Sequence, residues 1–221
     1  SGSGVTPDQI QANTDIAVEG GSFGEQPFSE ILFKGNLNTQ TIAGNLSARL
    51  DQSRLEAHMD AENWQQEPGY NFNVSVLEFN LAEITGFEDF PTFLNGTFEG
   101  RGSGISIETI DLQAAIAMDS SFVNRAPIET LKADIRIENQ FLTLENTLLE
   151  SPIADADISA RHHLTDLTHL ENSVDFRAAL KDLQPLAPLV NAEELQSEGE
   201  INGVLNRSGD GYLVFNAEAN L

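Results

Sequence analysis

The chain has 221 residues, 40% of them apolar, which makes it globular rather than disordered and long enough for one large or two small domains. Its 35 Asp and Glu outweigh 11 Lys and Arg, and a formal charge of −24 argues against nucleic-acid binding and polybasic membrane docking, since such a surface repels phosphates and anionic headgroups. With no cysteine, thiol catalysis, zinc–thiolate sites and disulfides are excluded.

The ordinary reading of the acidity is solubility or a saline environment. No run approaches the ~18 apolar residues that a membrane span needs, and no signal-peptide pattern is present. Ser1-Gly2-Ser3-Gly4 reads as an artificial linker, so any targeting or anchoring segment would lie outside the residues given.

Val5 to Pro27 is polar and glycine-bearing, and Ile16 with Val18 offers at most one short strand. Ile31 and Phe33 alternate until Gly35-Asn36 breaks the run. Leu46, Ala48 and Leu50 alternate with Ser47, Arg49 and Asp51. After Gln52-Ser53, Leu55, Ala57, Met59 and Ala61 alternate with charged residues. Leu55 and Met59 are also four apart, as on a helix, but the neighbouring segments favour a strand. Trp64 to Gly69 is a loop around Pro68-Gly69. Phe72, Val74 and Val76 follow as a strand, after which Leu77, Phe79 and Leu81 take over the apolar phase, as a bulge would arrange. Leu81 to Phe93 reads as a short helix or irregular cap ending at Pro91.

Four glycines, Gly96, Gly100, Gly102 and Gly104, precede Ile110, Leu112, Ala114, Ile116 and Met118, apolar at every second position. That period belongs to a strand with one apolar face. Gly100-Arg101-Gly102-Ser103-Gly104 lacks the spacing, the lysine and the following helix of a phosphate loop, so it reads as turn chemistry. Asn124 to Pro127 marks a turn. Leu131, Ala133, Ile135 and Ile137 alternate up to the tight Asn139-Gln140 connection, and Leu142 and Leu144 begin the return strand. Beyond Ser151-Pro152, Ala154, Ala156, Ile158 and Ala160 alternate, as do Val174, Phe176, Ala178 and Leu180. Leu183 to Leu195 reads as a second cap, and Leu213, Phe215, Ala217 and Ala219 close the chain. Nearly every element is a strand of about five to eight residues, some fourteen in all.

Two stretches match. Val74 to Gly100 and Val174 to Gly203 each run strand, proline-bearing cap and Gly-x-[Phe or Ile]-x-Gly, followed by Ser-Gly and a further strand. The offset is near one hundred residues, 103 from Gly96 to Gly199 and 100 from Val74 to Val174. Such a long-period β repeat reads as a stacked, quasi-one-dimensional architecture. The chain divides accordingly into residues 1–4 (linker), 5–72 (a partial first repeat), 73–172 (a second) and 173–221 (a partial third).

The order strand, Asp-Leu-x-Pro-Leu-x-Pro-Leu, acidic cap, Gly-Glu-Ile-Asn-Gly, Ser-Gly-Asp-Gly and alternating strand over Asp182 to Ala219 resembles the repeats of the TamB and wider AsmA-like family of bacterial bridge-like lipid transport proteins. The segment Gly100 to Ala160 resembles them too, and together the two cover roughly two thirds of the chain. The resemblance implies a mainly β fold, an elongated antiparallel sheet curved into an apolar-lined trough (a β-taco) with short helical caps. It also implies a periplasmic segment of a longer protein anchored in the inner membrane. The implied function is conduction of phospholipid between inner and outer membrane, with acyl chains as partners and an outer-membrane protein engaged through regions outside this chain.

The candidate lining of such a groove is the shared apolar face: Leu46, Leu50, Leu55, Met59, Phe72, Val74, Val76, Ile110, Leu112, Ala114, Ile116, Met118, Ala133, Ile135, Ile137, Leu142, Leu144, Ile158, Val174, Phe176, Leu213 and Phe215. Many inward positions are alanine, which leaves room for a ligand; alanines that face large residues of an opposing sheet would account for them equally. A β-sandwich or β-solenoid scaffold, or an adhesin-like module binding protein or glycan without lipid, therefore stands as the alternative. No nucleophile, metal or cofactor constellation emerges. His162, His163, His169, Asp166 and Glu171 read as a solvated loop, Asp155 and Asp157 as a wet strand face, and Asp210-Gly211 as a turn. An enzyme is not expected.

Overall fold

Side chains of a strand alternate between faces, so a segment apolar at every second residue can be satisfied by pairing its edges and burying one side. This chain does so with its sequence neighbours. The computed structural model describes residues 1–3, 6, 9–23, 26–50, 52–81, 92–123, 126–166, 168–184, 198–207 and 213–220, apart from the side chains of Phe23 and Gln26. The strands are β1 (Gly2–Ser3), β2 (Gln11–Phe23), β3 (Gln26–Leu37), β4 (Thr41–Leu50), β5 (Ser53–Glu62), β6 (Gly69–Phe79) and β7 (Thr92–Ser103). After them come β8 (Asp111–Val123), β9 (Ala126–Glu138), β10 (Phe141–Glu150), β11 (Ala154–His163), β12 (Ser173–Leu180), β13 (Gly199–Arg207) and β14 (Leu213–Asn220). They form one antiparallel 14-stranded sheet in sequence order. At a strand spacing of ~4.8 Å, that sheet is about 60 Å across.

The accessible surface is 14236 Å², against about 10,000 Å² for a compact monomer of this mass. The excess is what a single layer costs. The buried apolar residues are few, half of them alanines (Ala61, Ala114 and Ala133), and none of the described large side chains is fully buried. The sheet runs on without interruption across 72/73, inside β6, and across 172/173.

Several expectations are corrected by these boundaries. The weakly patterned N-terminal region holds a 13-residue strand, β2, because Ala12, Thr14, Ile16 and Val18 pair throughout with β3. Gly35-Asn36 lies within β3 rather than ending it. Gly100 to Ser103 belong to β7, and only Gly104, at φ 72°, turns the chain. His162 and His163 end β11, and Ala126 and Pro127 begin β9. Helix is essentially absent among the described residues. Most of the two expected caps falls at 82–91 and 185–197, outside those residues, and Phe93 is already in β7. Strands reach 13 residues, about 43 Å at 3.3 Å per residue, longer than the pattern suggested.

Other features agree with the pattern. Leu55 lies in a strand, β5. Asn139 and Gln140 form a two-residue turn with φ of 52° and 65°, the primed geometry that matches strand twist. The phase slip after Val76 is a bulge: the β6–β7 register shifts between Val76 and Phe79, and Glu78 has φ 52°.

That bulge is one of a row. Asn95 in β7 and Ser120 in β8, the latter at φ 43°, sit at the next register shift. Polar groups stitch the row together. Ser53 Oγ donates to the Glu78 carbonyl (2.7 Å) and the Glu78 amide to Asn95 Oδ1 (2.8 Å). Asn95 Nδ2 donates to the Ser120 carbonyl and its amide to Ser121 Oγ, both at 2.9 Å. Ser53 and Ser121 are each 4% exposed. The extra residue in each bulge leaves backbone groups without ladder partners, and these side chains replace them. Asn95→Ala should therefore lower stability in urea by about 1–3 kcal/mol. Asn73→Ala removes an exposed 3.4 Å contact to Glu99 and should stay within about 0.5 kcal/mol of the parent.

Candidate functional site

Directly opposed residues in neighbouring strands share a face, so the registers trace continuous rows. One runs Ile16, Phe33, Leu46, Ala57, Val74, Phe98, Ile116 and Ala133. Past the β9–β10 bulge it continues through Thr147, Ile158, Phe176, Gly203 and Ala217. A parallel row holds Gly44, Met59, Phe72, Gly100, Ala114, Ile135 and Leu144, then Ala160, Val174, Leu205 and Phe215. A third carries Leu55, Val76, Met118 and, beyond them, Leu131, Leu149, Ala156, Ala178 and Ile201. A fourth carries Tyr70, Gly102, Leu112, Ile137 and Leu142. No charged side chain interrupts the first three rows.

Every candidate residue of a strand thus lies on one face, Leu50 and Leu213 at its ends by the same alternation. Ile110 stands just before β8, outside the ladder. The candidate lining left out Phe33 and Leu131, which the alternation includes, and also Phe98, Leu149, Ile201 and Leu205, although each shares its strand's apolar phase. Most of this face is half-buried, and Met59, at 48%, is among its open positions.

The glycines are the larger surprise. Phe72 lies opposite Gly100, Tyr70 opposite Gly102 and Phe176 opposite Gly203. In each pair the ring lies down over the glycine: a Cβ on Gly100 would meet Phe72 Cζ at 2.7 Å, one on Gly102 would meet the Tyr70 hydroxyl at 2.8 Å, and one on Gly203 would collide with the Phe176 ring. Phe33, paired with Leu46, leans over Gly35 two residues along its own strand, where a Cβ would meet the ring at 3.0 Å, and its far edge touches the diagonal Gly44 at ordinary contact distance. A ring laid flat on the backbone buries both partners without a tall side chain, as in aromatic rescue of strand glycine. Two surface depressions, of about 920 and 600 Å³, reach these pairs from the polar side: Asp157, Asp175, Arg177 and Glu218 line one, and Asn71, Glu99, Arg101 and Gln113 the other. These pairs also set the repeat offset at 104 for the rings and 103 for the glycines, so Phe176, and not Val174 against Val74, is the register match.

The opposite face is polar and cross-linked strand to strand. Asn71 donates to Asp60 (3.0 Å), Asn146 to Asp134 (2.7 Å), and Arg177 to both carboxylate oxygens of Glu200 (3.2 Å). Lys181 Nζ donates to Asp155 Oδ1 at 2.6 Å, and this hydrogen bond holds the ammonium above its ordinary pKa. These exposed pairs hold register more than they add stability.

At one rim His163 and His169 stack at 4.9 Å, Phe141 meets both edge-on, and Arg161 covers the Phe141 ring at 4.0 Å. His163 Nδ1 accepts from the Asp166 amide (3.0 Å) and His169 Nδ1 from the Glu171 amide (3.2 Å). The histidines are thus loop caps built into ring contacts. Among the described residues no group of three or more His, Asp or Glu gathers as a metal site, and no helix is long and apolar enough to cross a membrane.

No family model, curated protein or solved structure matches the chain.

Two predictions follow from this geometry. Gly100→Ala places a methyl within 2.9 Å of the Gln113 carbonyl as well as under Phe72, and should cost about 1–3 kcal/mol of unfolding free energy. Gly69→Ala, with open space at its Cβ, should cost almost nothing. At the rim, the Thr168 hydroxyl (2.6 Å) and amide (2.8 Å) hold Asp166 below its ordinary 3.8. Its folded pKa is depressed, so its stabilisation is present above the unfolded value and is lost as pH falls through the folded one. Thr168→Val should raise the Asp166 pKa in an NMR-detected titration.

Proposed function

We propose that the chain is a segment of a lipid-conducting trough, its apolar face carrying phospholipid acyl chains past the strands in succession. The observation that supports this most is the run of rows free of charged side chains across a sheet that has no second layer among the described residues. An apolar face left open in a charged, soluble chain calls for a cover, and a row that crosses every strand from β2 to β14 offers the same environment at each step. Movement along it meets no deep minimum, which suits transport rather than capture. The rings lying on Gly35, Gly44, Gly100, Gly102 and Gly203 keep the floor low, where upright rings would fill the space.

On this reading the sheet curls about its apolar face, the bulge row at Glu78, Asn95 and Ser120 being a natural crease. The chain acts without catalysis or cofactor, in the periplasm, within a longer protein anchored in the inner membrane. Any outer-membrane partner is engaged elsewhere in that protein. The sequential antiparallel sheet favours this over a sandwich, which needs a facing sheet.

Native mass spectrometry of the purified chain, with lipid extraction alongside, tests the proposal: bound phospholipid is the expected result. Met59→Glu introduces a charge at an already exposed position of the face, so the protein should stay folded while lipid occupancy falls several-fold. Ala114→Phe with Ala133→Phe should lower it by raising the floor. A folded chain that retains no lipid, or variants that bind it undiminished, would refute the trough and favour a protein- or glycan-binding scaffold.

A further inference from the structure

Acidic side chains outnumber basic ones by 35 to 11 in this chain, so an arginine has many carboxylates to choose from. Arg136 meets Glu138, Arg161 meets Glu171, Arg177 meets Glu200, and Arg101 donates to Gln113. Arg49 in β4 and Arg54 in β5 depart from that habit. They stand directly opposite one another, one pair in from the Leu50–Ser53 pair that closes the β4–β5 turn. Among the described residues neither guanidinium makes an ion pair or a hydrogen bond. Yet Glu30 lies opposite Arg49 on its other side, and Glu56 lies two residues beyond Arg54.

Both arginines are exposed, on the polar face. Directly opposed Cβ atoms are only ~4.5–5.5 Å apart, and like charges so placed are destabilising. An anion held between the two guanidinium groups would remove that repulsion. The ground beneath them is fixed: Ser29 Oγ donates to the Arg49 carbonyl (3.2 Å), and Ser53 Oγ, next to Arg54, donates to the Glu78 carbonyl (2.7 Å). There is also room beside them. The next row of the polar face, Leu32, Ser47, Glu56 and Ser75, opens into a depression of about 330 Å³ with Lys34 and His58 on its far side.

We propose that Arg49 and Arg54 form a binding site for the phosphate group of a small organic ester, whose alcohol portion lies in the adjoining depression. Two planar guanidinium forks match phosphate oxygens bidentately. The Ser47 and Ser75 hydroxyls and the Glu56 carboxylate suit hydroxyl or ammonium groups on the alcohol. The overall charge of −24 repels extended polyanions, but at physiological ionic strength that field fades over ~8 Å, whereas the two guanidinium groups act in contact. A soluble phosphate ester and a phospholipid headgroup offer the same chemistry. The site does not rest on the lipid-conducting reading, since a soluble ester needs no apolar face.

The probes are glycerol phosphate and dihexanoylphosphatidylethanolamine below its micelle concentration, each titrated into the full chain at constant ionic strength. Arginine Nε–Hε NMR signals, assigned with single variants, report contact, and calorimetry reads affinity. The Arg49 and Arg54 signals should shift together. Arg49→Gln or Arg54→Gln should weaken binding about tenfold, the loss expected of a charge-assisted hydrogen bond. Arg101→Gln, the same change of charge elsewhere on the polar face, should leave affinity within about twofold. Without ligand the Arg49→Gln and Arg54→Gln proteins should melt at or above the parent temperature, because the repulsion is gone. Glycerol phosphate should then raise the melting temperature of the parent and not that of the double variant. Tighter binding of the phospholipid, with the advantage lost in Met59→Glu, would support the site with a lipid headgroup as its occupant; equal affinity would support it with a soluble ester. The proposal is overturned if neither probe shifts the two arginine signals, or if Arg101→Gln weakens binding as much as Arg49→Gln does. It is equally overturned if the ligand-free variants melt well below the parent, which would make the arginines structural.

Discussion

Backbone pairing between neighbours in sequence is the interaction on which everything else here depends. Each strand spends its hydrogen bonds on the strand before and the strand after, so the described sheet grows in one dimension, strand by strand in sequence order. In such a sheet a slip of one residue in any strand would turn its apolar set to the wrong face. Register is held locally: by the primed turn at Asn139-Gln140, by side-chain caps such as Asn38 on Gln40 and Thr41, and by the charge and amide pairs of the polar face. The bulges matter for the same reason. Where β6 takes an extra residue near Glu78, Phe79 returns to the apolar face opposite Leu94, and the rows survive the change of phase.

A single layer has to live with its apolar side. The chain reduces the exposed bulk by laying rings across glycines, so that each ring gives up one face to the backbone and a glycine loses the exposure of its peptide. The same device lowers the floor. Packing and the height of the apolar face are thus set by one kind of residue pair, which ties stability and the contour of that face together: filling a glycine would lift its ring and crowd the face at once.

Much of this was legible in the sequence, because apolar alternation in Leu131 to Ile137 or Ala154 to Ala160 leaves little choice but a strand with one dry side. Strand length was harder to read. Thr14, Gly35, Gly44, Gly100 and Gly102 occupy apolar-face positions without being apolar, and so looked like breaks or turns. What makes Gly100 a strand residue is Phe72 across the ladder, a partner 28 positions earlier by number (100 − 72) and invisible until the register is known. The phenylalanine–glycine match also corrects the repeat alignment, since Val74 and Val174 share a residue type but not a place in the ladder. The histidines read as a solvated loop for want of the same information, namely that Phe141 and Arg161 lie beside them.

The acidity that argued against anionic partners can be reconciled with a lipid-bearing face by where the charges sit. Asp15, Glu56, Asp60, Glu99 and Asp134 alternate with the apolar rows and therefore project from the other side of the sheet. A sheet and its side chains are about 10 Å thick, and each of these charges stands in water on the polar side with counter-ions around it, so distance and its own ion cloud weaken its pull on anything lying on the apolar face. Glu62, Glu67, Glu108, Glu138 and Glu171 differ: they stand at or next to the rim connections, where a headgroup would emerge from a groove that holds its tails. On the proposed reading, charge at the rim would bear on a headgroup, while charge on the polar face would not meet it. An apolar wall can tell one acyl chain from another only by length and shape, so any selectivity for headgroups in such a trough would fall to the rim.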